Sequence, residues 1–285
     1  MRGLILLIIL SSSFILPVSA EEAAEKDTQH NVDAYVRYIP SRNADAQPGG
    51  IEIIESEGEY SYEFKAFAKL PVKVSLANRY ISIENSTQVE LPSHLTGLIA
   101  DIETTLPFFG IENTYLRIGV SPSFYGDDWN FTSSNFRIPS RYIGIYKPSE
   151  QLILLAGIAV YPDFENEALP VLGLIYKPNE RLSFNLTPRR PNISYALNKK
   201  ATLFTEFGRA FNGEFEVDKD NLKNVILKYK QTQIGAGLKY KFNELFSGSF
   251  AVGGVFNRSL EYENSLGKVS IKSGVYTELR FLLEI

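Results

Sequence analysis

Apolar and polar residues alternate one by one along much of this chain, and a period of two fits a pleated strand with two unlike faces. Tyr60, Tyr62, Phe64, Ala66, Ala68 and Leu70 fall on one face, with Ser61, Glu63, Lys65 and Lys69 on the other. Leu98, Ala100, Ile102, Thr104 and Leu106 oppose Asp101, Glu103 and Thr105, and Leu116, Ile118, Val120 and Phe124 oppose Arg117, Ser121 and Ser123. Ile234, Ala236, Leu238, Tyr240 and Phe242 oppose Gln233, Gly235, Gly237, Lys239 and Lys241. The last residues repeat the pattern, with Val275, Leu279, Phe281, Leu283 and Ile285 against Tyr276, Glu278, Arg280 and Glu284. Two segments, Gln151–Val160 and Leu169–Tyr176, are apolar on both faces. They read either as barrel strands whose inner face packs against a plug or small side chains, or as core strands of a soluble protein.

The first twenty residues read as a secretory signal. Arg2 supplies the positive end, Leu4 to Leu10 continued by Phe14 to Leu16 the apolar stretch, and Val18-Ser19-Ala20 the cleavage site. Beyond it, no stretch is apolar and long enough for a membrane helix, which takes roughly 20 residues. A chain with 16 Tyr and 19 Phe and alternating strands can still cross a membrane as a barrel, because lipid-facing and lumen-facing residues average to a hydropathy near zero. The formal charge is −4, one unit more acidic without Arg2, which argues against a nucleic-acid partner. With no cysteine there is no disulfide, thiolate metal site or cysteine nucleophile.

Short polar turns recur after an aromatic residue. Tyr146-Lys-Pro-Ser-Glu-Gln-Leu152, Tyr176-Lys-Pro-Asn-Glu-Arg-Leu182 and Tyr240-Lys-Phe-Asn-Glu-Leu-Phe246 are near copies, and Tyr195-Ala-Leu-Asn-Lys-Lys-Ala201 is a looser one. Ser or Asn three residues after the Tyr suits a β-turn, and Tyr146, Tyr176, Tyr195 and Tyr240 suit a membrane–water interface. Between these turns lie the longer polar segments Gly126–Asn135, Pro162–Ala168, Arg209–Asn224 and Arg258–Lys268, assigned to the outer side, with the short turns in the periplasm.

Residues 117–127 (Arg-Ile-Gly-Val-Ser-Pro-Ser-Phe-Tyr-Gly-Asp), 168–178 (Ala-Leu-Pro-Val-Leu-Gly-Leu-Ile-Tyr-Lys-Pro), 181–188 (Arg-Leu-Ser-Phe-Asn-Leu-Thr-Pro) and 191–195 (Pro-Asn-Ile-Ser-Tyr) carry a resemblance. From about Asp33 onward the chain resembles an uncharacterised family of bacterial outer-membrane β-barrels, a domain of unknown function. That resemblance implies the barrel and transfers no catalytic residue. The alternating C-terminal strand resembles the assembly signal at the end of outer-membrane barrels, although it finishes in Ile285 rather than Phe or Trp.

The expected fold is all-β, an antiparallel up-and-down transmembrane β-barrel of 12–14 strands, fourteen by segment count. It follows a signal peptide (1–20) and a flexible periplasmic tail (21–31) and occupies residues 32–285. Two segments, Leu182–Thr187 and Ile193–Leu197, are short for a crossing, which takes roughly 9–11 residues. If the apolar faces meet lipid, Glu63, Lys65, Lys73, Arg79, Asp101, Glu103, Arg117, Lys239, Glu278 and Arg280 point into the lumen, where they avoid the roughly 2–4 kcal/mol cost of a basic side chain at mid-bilayer. They form either a salt-bridged closed interior or the lining of a narrow aqueous path.

Chemistry is sparse. His30 falls in the tail. His94 with Thr96 distantly echoes a lipid-hydrolase pair but lacks an acid, and Asp127-Asp128 read as turn formers or surface charge, with rim carboxylates of an aspartyl-type protease and cation binding the two sharper alternatives. No cofactor, metal or catalytic residue is assigned. The expected partners are outer-membrane lipid and lipopolysaccharide, together with the barrel-assembly machinery. A small porin-like channel or passive transport barrel leads the functions that remain. A closed structural or surface-interaction barrel, a rim enzyme acting on lipid or peptide, and a soluble β-sandwich stay open behind it, as does the oligomeric state.

Overall fold

The computed structural model describes residues 28–285 except 46, 67–69, 109, 130–131, 189, 210–212, 220–221 and 264–265. The expected signal peptide and most of the expected tail lie outside the described residues. The described chain forms β1 (Thr28–Asn43), β2 (Gly50–Lys65), β3 (Pro71–Asn85), β4 (His94–Pro107), β5 (Thr114–Val120), β6 (Ser123–Gly126), β7 (Phe136–Arg137), β8 (Ser140–Tyr146) and β9 (Leu152–Val160). It continues as β10 (Ala168–Tyr176), β11 (Leu182–Asn185), β12 (Asn192–Ala196), β13 (Ala201–Arg209), β14 (Gly213–Lys219), β15 (Leu222–Lys241), β16 (Phe246–Tyr262), β17 (Lys268–Ile271) and β18 (Gly274–Glu284).

Four pairs of these segments are interrupted single staves. β5 and β6 both pair with β4, and β7 and β8 follow them on the next stave. β13 and β14 pair with successive halves of β15, and β17 and β18 with successive halves of β16. The result is a fourteen-stave barrel, closed by the antiparallel ladder from Asn31↔Glu284 to Tyr38↔Thr277. Closure leaves neither terminal strand as an open edge, which a β-structure in hydrocarbon requires. The first strand begins at Thr28, inside the segment expected as tail, because His30 and Ile285 exchange backbone hydrogen bonds at 2.9 and 2.8 Å. Both ends of the barrel chain and all the short turns therefore lie at one rim.

Three of the four Tyr-containing turns share one mechanism. Asn179, Asn198 and Asn243 each accept hydrogen bonds from backbone N–H groups two and three residues on, at 2.7–2.9 Å. That is the Asx-turn the sequence pattern calls for.

The wall has two tiers. In the tier nearer the short turns, apolar side chains face outward: Tyr60, Leu76, Ile102, Leu154, Leu238, Phe250 and Phe281 are all exposed. Most of their inward-facing sequence neighbours are polar or small, but Ile153 and Leu155 beside Leu154, and Leu282 beside Phe281, are apolar. Towards the other rim the phase reverses. On β2 the inward odd positions change from Glu59, Glu57 and Glu55 to Ile53 and Ile51. On β3 they change from Arg79 to Ile81 and Ile83. A sixteen-residue strand is about 50 Å long, far more than a crossing needs, so the outer part of such staves stands beyond the lipid and carries the polarity of a soluble protein. Ile39, Ile51, Ile53, Ile81, Ile83, Leu95, Phe215, Val217, Leu227, Leu260, Val269 and Ile271 pack there into one buried cluster.

This packing is possible because the outer tier is narrower. Staves β8 to β12 stop short, and β14 crosses the gap to bridge β6 at Glu216↔Gly126, with Asp127 N–H donating to the Glu216 carbonyl at 3.0 Å. The cluster fills the smaller ring as a hydrophobic plug. Two segments expected as outer loops are thus largely strand. Much of 209–224 forms β14 and the start of β15, and 258–262 extends β16, because their alternate residues (Phe215, Val217, Leu260, Tyr262) are the inward side of the plug.

One side of the barrel is low. β10 pairs along its whole length with β9, but with β11 only at Ile175↔Asn185 and Tyr176↔Phe184. Leu186 N–H still donates to the Leu174 carbonyl at 2.8 Å and Gly173 lies against Thr187, but among the described residues, 168–172 have no strand partner on that side. They form a free edge above the β11–β12 hairpin, and Pro170, which has no N–H to donate, suits an edge position. The β9–β10 loop spans the top of this notch. Its buried Phe164 packs edge-on against Tyr125 and Tyr161. Glu165 accepts from Lys230 at 2.8 Å, and the Glu165 N–H donates to Glu214 at 2.9 Å. Replacing Phe215 by Ala in the plug is expected to cost about 3–5 kcal/mol, and Leu76→Ala on the 52% exposed outer face about 2 kcal/mol, since the lost carbons no longer pass from water to lipid on folding but leave no packed cavity behind. Denaturant unfolding in micelles measures both, and equal costs would contradict a packed plug.

Candidate functional site

The inner surface below the plug has two chemistries. From β18 through β1 to β5 and on to β8 it is a charged wall. Its centre is Arg37 on β1, whose guanidinium donates to Glu55 of β2 and Glu278 of β18, both at 2.5 Å. Register places the three side by side, since Arg37 pairs with Glu278 on one flank and Glu55 on the other. Glu55 is also reached across the barrel by β15: its other oxygen accepts from the Tyr229 hydroxyl at 2.6 Å and the Gln231 amide at 2.7 Å. The Arg37 guanidinium lies over the rings of Tyr35 and Tyr276, 5.3 and 5.2 Å from their centroids. Tyr276 lies against Gly235 and Gly253, where a Cβ would strike its ring or hydroxyl, and donates to Glu206 at 3.1 Å. These glycines are required by close approach rather than by backbone conformation.

Around this centre the charges pair with cross-strand neighbours. Arg79 donates twice to Glu57, at 2.8 and 3.0 Å, and Lys73 lies 3.7 Å from Glu59. Arg141 on β8 reaches both Asp101 (2.7 Å) and Glu103 (3.1 Å), while Arg117 approaches Glu103 at 3.4 Å. Arg280 forms a two-pronged pair with Asp33. Among the residues singled out from sequence, Lys73, Arg79, Asp101, Glu103, Arg117, Glu278 and Arg280 are brought into this network. Glu63 and Lys65 stand exposed near the turn rim on β2, and Lys239 stands exposed near the same rim on β15, away from the centre. Tyr146, Tyr176, Tyr195 and Tyr240 are exposed at the turn ends of their strands.

The facing wall is apolar. Register carries Ile153, Leu155, Leu169, Val171 and Ile175 of β9 and β10 onto the inner side, while Leu154, Ile158 and Leu172 face outward. This explains the two segments without alternation: their strands meet lipid on one side and an apolar half of the lumen on the other. An open recess of about 330 Å³ lies at the turn end of this side, with Lys177, Asn179, Arg181, Ser183, Ser194 and Thr202 in its lining.

Sequence reading missed Arg37, Glu55, Glu57 and Glu59, although the same odd-position alternation on β2 reveals the three acids. It also missed Arg190. This side chain leaves the β11–β12 connection, crosses the lumen, stacks 5.0 Å from the Tyr35 ring centroid and lies 3.7 Å from Glu278. Pro188 and Pro191 flank it, and no periodicity signals an inward loop.

The residues weighed for catalysis do not assemble. His30 lies in β1 and bonds the Tyr60 hydroxyl at 2.7 Å. His94 Nδ1 meets Ser93 Oγ at 3.1 Å and stacks on Tyr80, while Thr96 donates to the carbonyls of Gly126 and Asp128. Asp127 accepts from the Asp218 N–H, and partial burial raises its pKa. Among the described residues, no three acidic or histidine side chains are grouped to hold a metal ion.

No known family profile matches the chain, and no curated protein matches it. The family resemblance drawn from residues 117–195 is therefore carried no further than outer-membrane barrel architecture. Solved structures similar in shape include the KdgM porin, 12% identical over 89% of this chain and 98% of that one with a TM-score of 0.36. A Pseudomonas aeruginosa FadL homologue is 11% identical over 91% and 90%, with a TM-score of 0.49. A deletion mutant of the TodX monoaromatic hydrocarbon channel is 10% identical over 92% and 90%, also at 0.49. The solutes named for those proteins belong to them.

Two predictions follow from the charge geometry. Glu55→Ala leaves Arg37, Tyr229 and Gln231 facing a lost acceptor, and is expected to destabilise the barrel by about 3–5 kcal/mol, against roughly 0–1 kcal/mol for Glu103→Gln among partly exposed partners; micellar unfolding compares them. In the outer loop, the Lys230 hydrogen bond, with Lys228 beside it, lowers the pKa of Glu165. A depressed carboxylate stabilises the folded loop above its unfolded pKa and loses that contribution as pH falls through the folded value. Protease protection of residues 161–167 should therefore hold from neutral pH to below the ordinary carboxylate range and then drop, and Glu165→Gln should remove the pH step.

Proposed function

We propose that this protein is an outer-membrane barrel for passive transport of a small solute. The observation that carries the reading is a lumen with a charged wall facing an apolar wall, enclosed by a barrel whose outer face is apolar. A stave interior that only had to be filled needs neither an ion-paired surface nor a half-exposed aliphatic one. Together they suit a molecule with one polar and one apolar side. The turn rim, with its recess and its ring of tyrosines, is assigned to the periplasm, and β18 to recognition by the assembly machinery. Outer-membrane lipid and lipopolysaccharide surround the belt.

The plug fills the axial exit and Arg190 narrows the middle, so the resting barrel passes little current. The wall is lowest at the notch bounded by the β10 edge, the β11–β12 hairpin and the β9–β10 loop, and the route is assigned to that side. The test is single-channel conductance of the refolded mature chain in a planar bilayer. Wild type should show small or rare steps. Arg190→Ala should enlarge or multiply them, by about threefold or more, and Arg117→Ala should shift ion preference. A folded, heat-modifiable barrel that stays silent in wild type and Arg190→Ala would overturn transport in favour of a closed interaction barrel.

A further inference from the structure

Arg258 is 2% exposed, yet none of its three guanidinium nitrogens has a hydrogen-bond partner. The carboxylate whose charge acts on it, Glu55, is already engaged by Arg37, Tyr229 and Gln231. The positive charge of Arg42 acts against it. The Gln231 side-chain oxygen is also buried without a donor, on the residue whose amide holds Glu55. A buried cation with five idle donors is among the costliest arrangements a protein interior can hold.

Its inward direction is not an accident of alternation. On β16, Ser249, Ala251, Gly253 and Val255 share the inner side of register with β15, which would send Arg258 outward. The ladder shifts by one residue between Lys230 and Thr232, opposite Asn257, which takes a left-handed φ of 50°. That bulge reverses the phase, as bulges do, and turns Arg258, Leu260 and Tyr262 into the barrel, where Leu260 and Tyr262 join the plug.

We propose that Arg258, with Gln231 beside it, is the receptor for a small oxyanion, a carboxylate or phosphate, at the base of the outer plug. The planar guanidinium fork matches two oxygens of such a group, which a spherical halide cannot offer. A protonated oxygen or hydroxyl on the ligand supplies the donor that Gln231 lacks. Because the guanidinium is sealed in the closed packing, the ligand enters as the plug yields, and pairing Arg258 favours that arrangement over the one that buries it alone. The site stands whether or not the barrel conducts, since binding is read without current.

The experiment is thermal unfolding of the full mature chain in micelles, titrating inorganic phosphate or acetate against chloride at fixed ionic strength. Wild type should gain a saturable rise of about 3–6 °C in Tm at roughly hundredfold excess over Kd. One of the two anions should act at lower concentration, which separates phosphate from carboxylate chemistry. Arg258→Met, similar in length and uncharged, should be at least as stable as wild type without anion and lose the response. Arg258→Lys keeps the charge but not the fork and should respond at least tenfold more weakly. Equal responses in wild type and Arg258→Met, equal effects of chloride and oxyanion, or no response in wild type would each overturn the proposal. Should Arg258→Met fail to fold, the comparison of wild type with Arg258→Lys decides on the same criteria.

Discussion

Every backbone N–H and C=O in the hydrocarbon layer needs a partner within the protein, and the pairing of β1 with β18 meets that demand where the two terminal strands would otherwise be open edges. Once the ring is closed, each strand has one side towards lipid and one towards the lumen, and the choice of side chain follows. Val32, Val36, Leu279 and Phe281 face outward across the closing ladder, while Asp33, Arg37, Glu278 and Arg280 meet inside it. The most deeply buried ion cluster thus sits on the seam that joins the two ends of the chain.

The reversal of phase between the tiers follows from where the solvent changes. Lipid outside favours apolar side chains there and leaves the polar ones to the interior. Beyond the bilayer, water outside and packed protein inside invert the preference. A period of two persists through the change, so the backbone continues without a break, and only side-chain chemistry marks the boundary, at Glu55 and Ile53 on β2 and at Arg79 and Ile81 on β3. On β16 the boundary coincides with the Asn257 bulge, which brings a lone arginine to the place where the polar lumen meets the apolar plug.

The unequal heights of the staves connect these features. β8 to β12 stop early, β14 closes the outer ring without them through β6, and the smaller ring can be filled by aliphatic side chains. The same shortening leaves the β10 edge free and lets the β11–β12 connection turn inward, so that Arg190 reaches Glu278 and the Tyr35 ring. A seal at the outer end, a cation across the middle and a low wall at the side all follow from β8 to β12 stopping early.

The sequence by itself determined the strand class, a stave count of twelve to fourteen, the Tyr-centred turns and the separation of apolar from charged faces, because each is a local pattern: a period of two, or an Asn three residues after a Tyr. It also showed that residues 182–187 and 193–197 are short, and that residues 151–160 and 169–176 are apolar on both faces. Only the tertiary structure decided what those anomalies mean. Which carboxylate meets Arg37, which strand crosses a gap to narrow the ring, and whether a polar-looking segment such as 213–219 is loop or plug depend on residues far apart in the chain. Arg258 is the sharpest case. Simple alternation sends it outward, and a one-residue register shift, set by pairing with β15 rather than by its own neighbours, turns it inward.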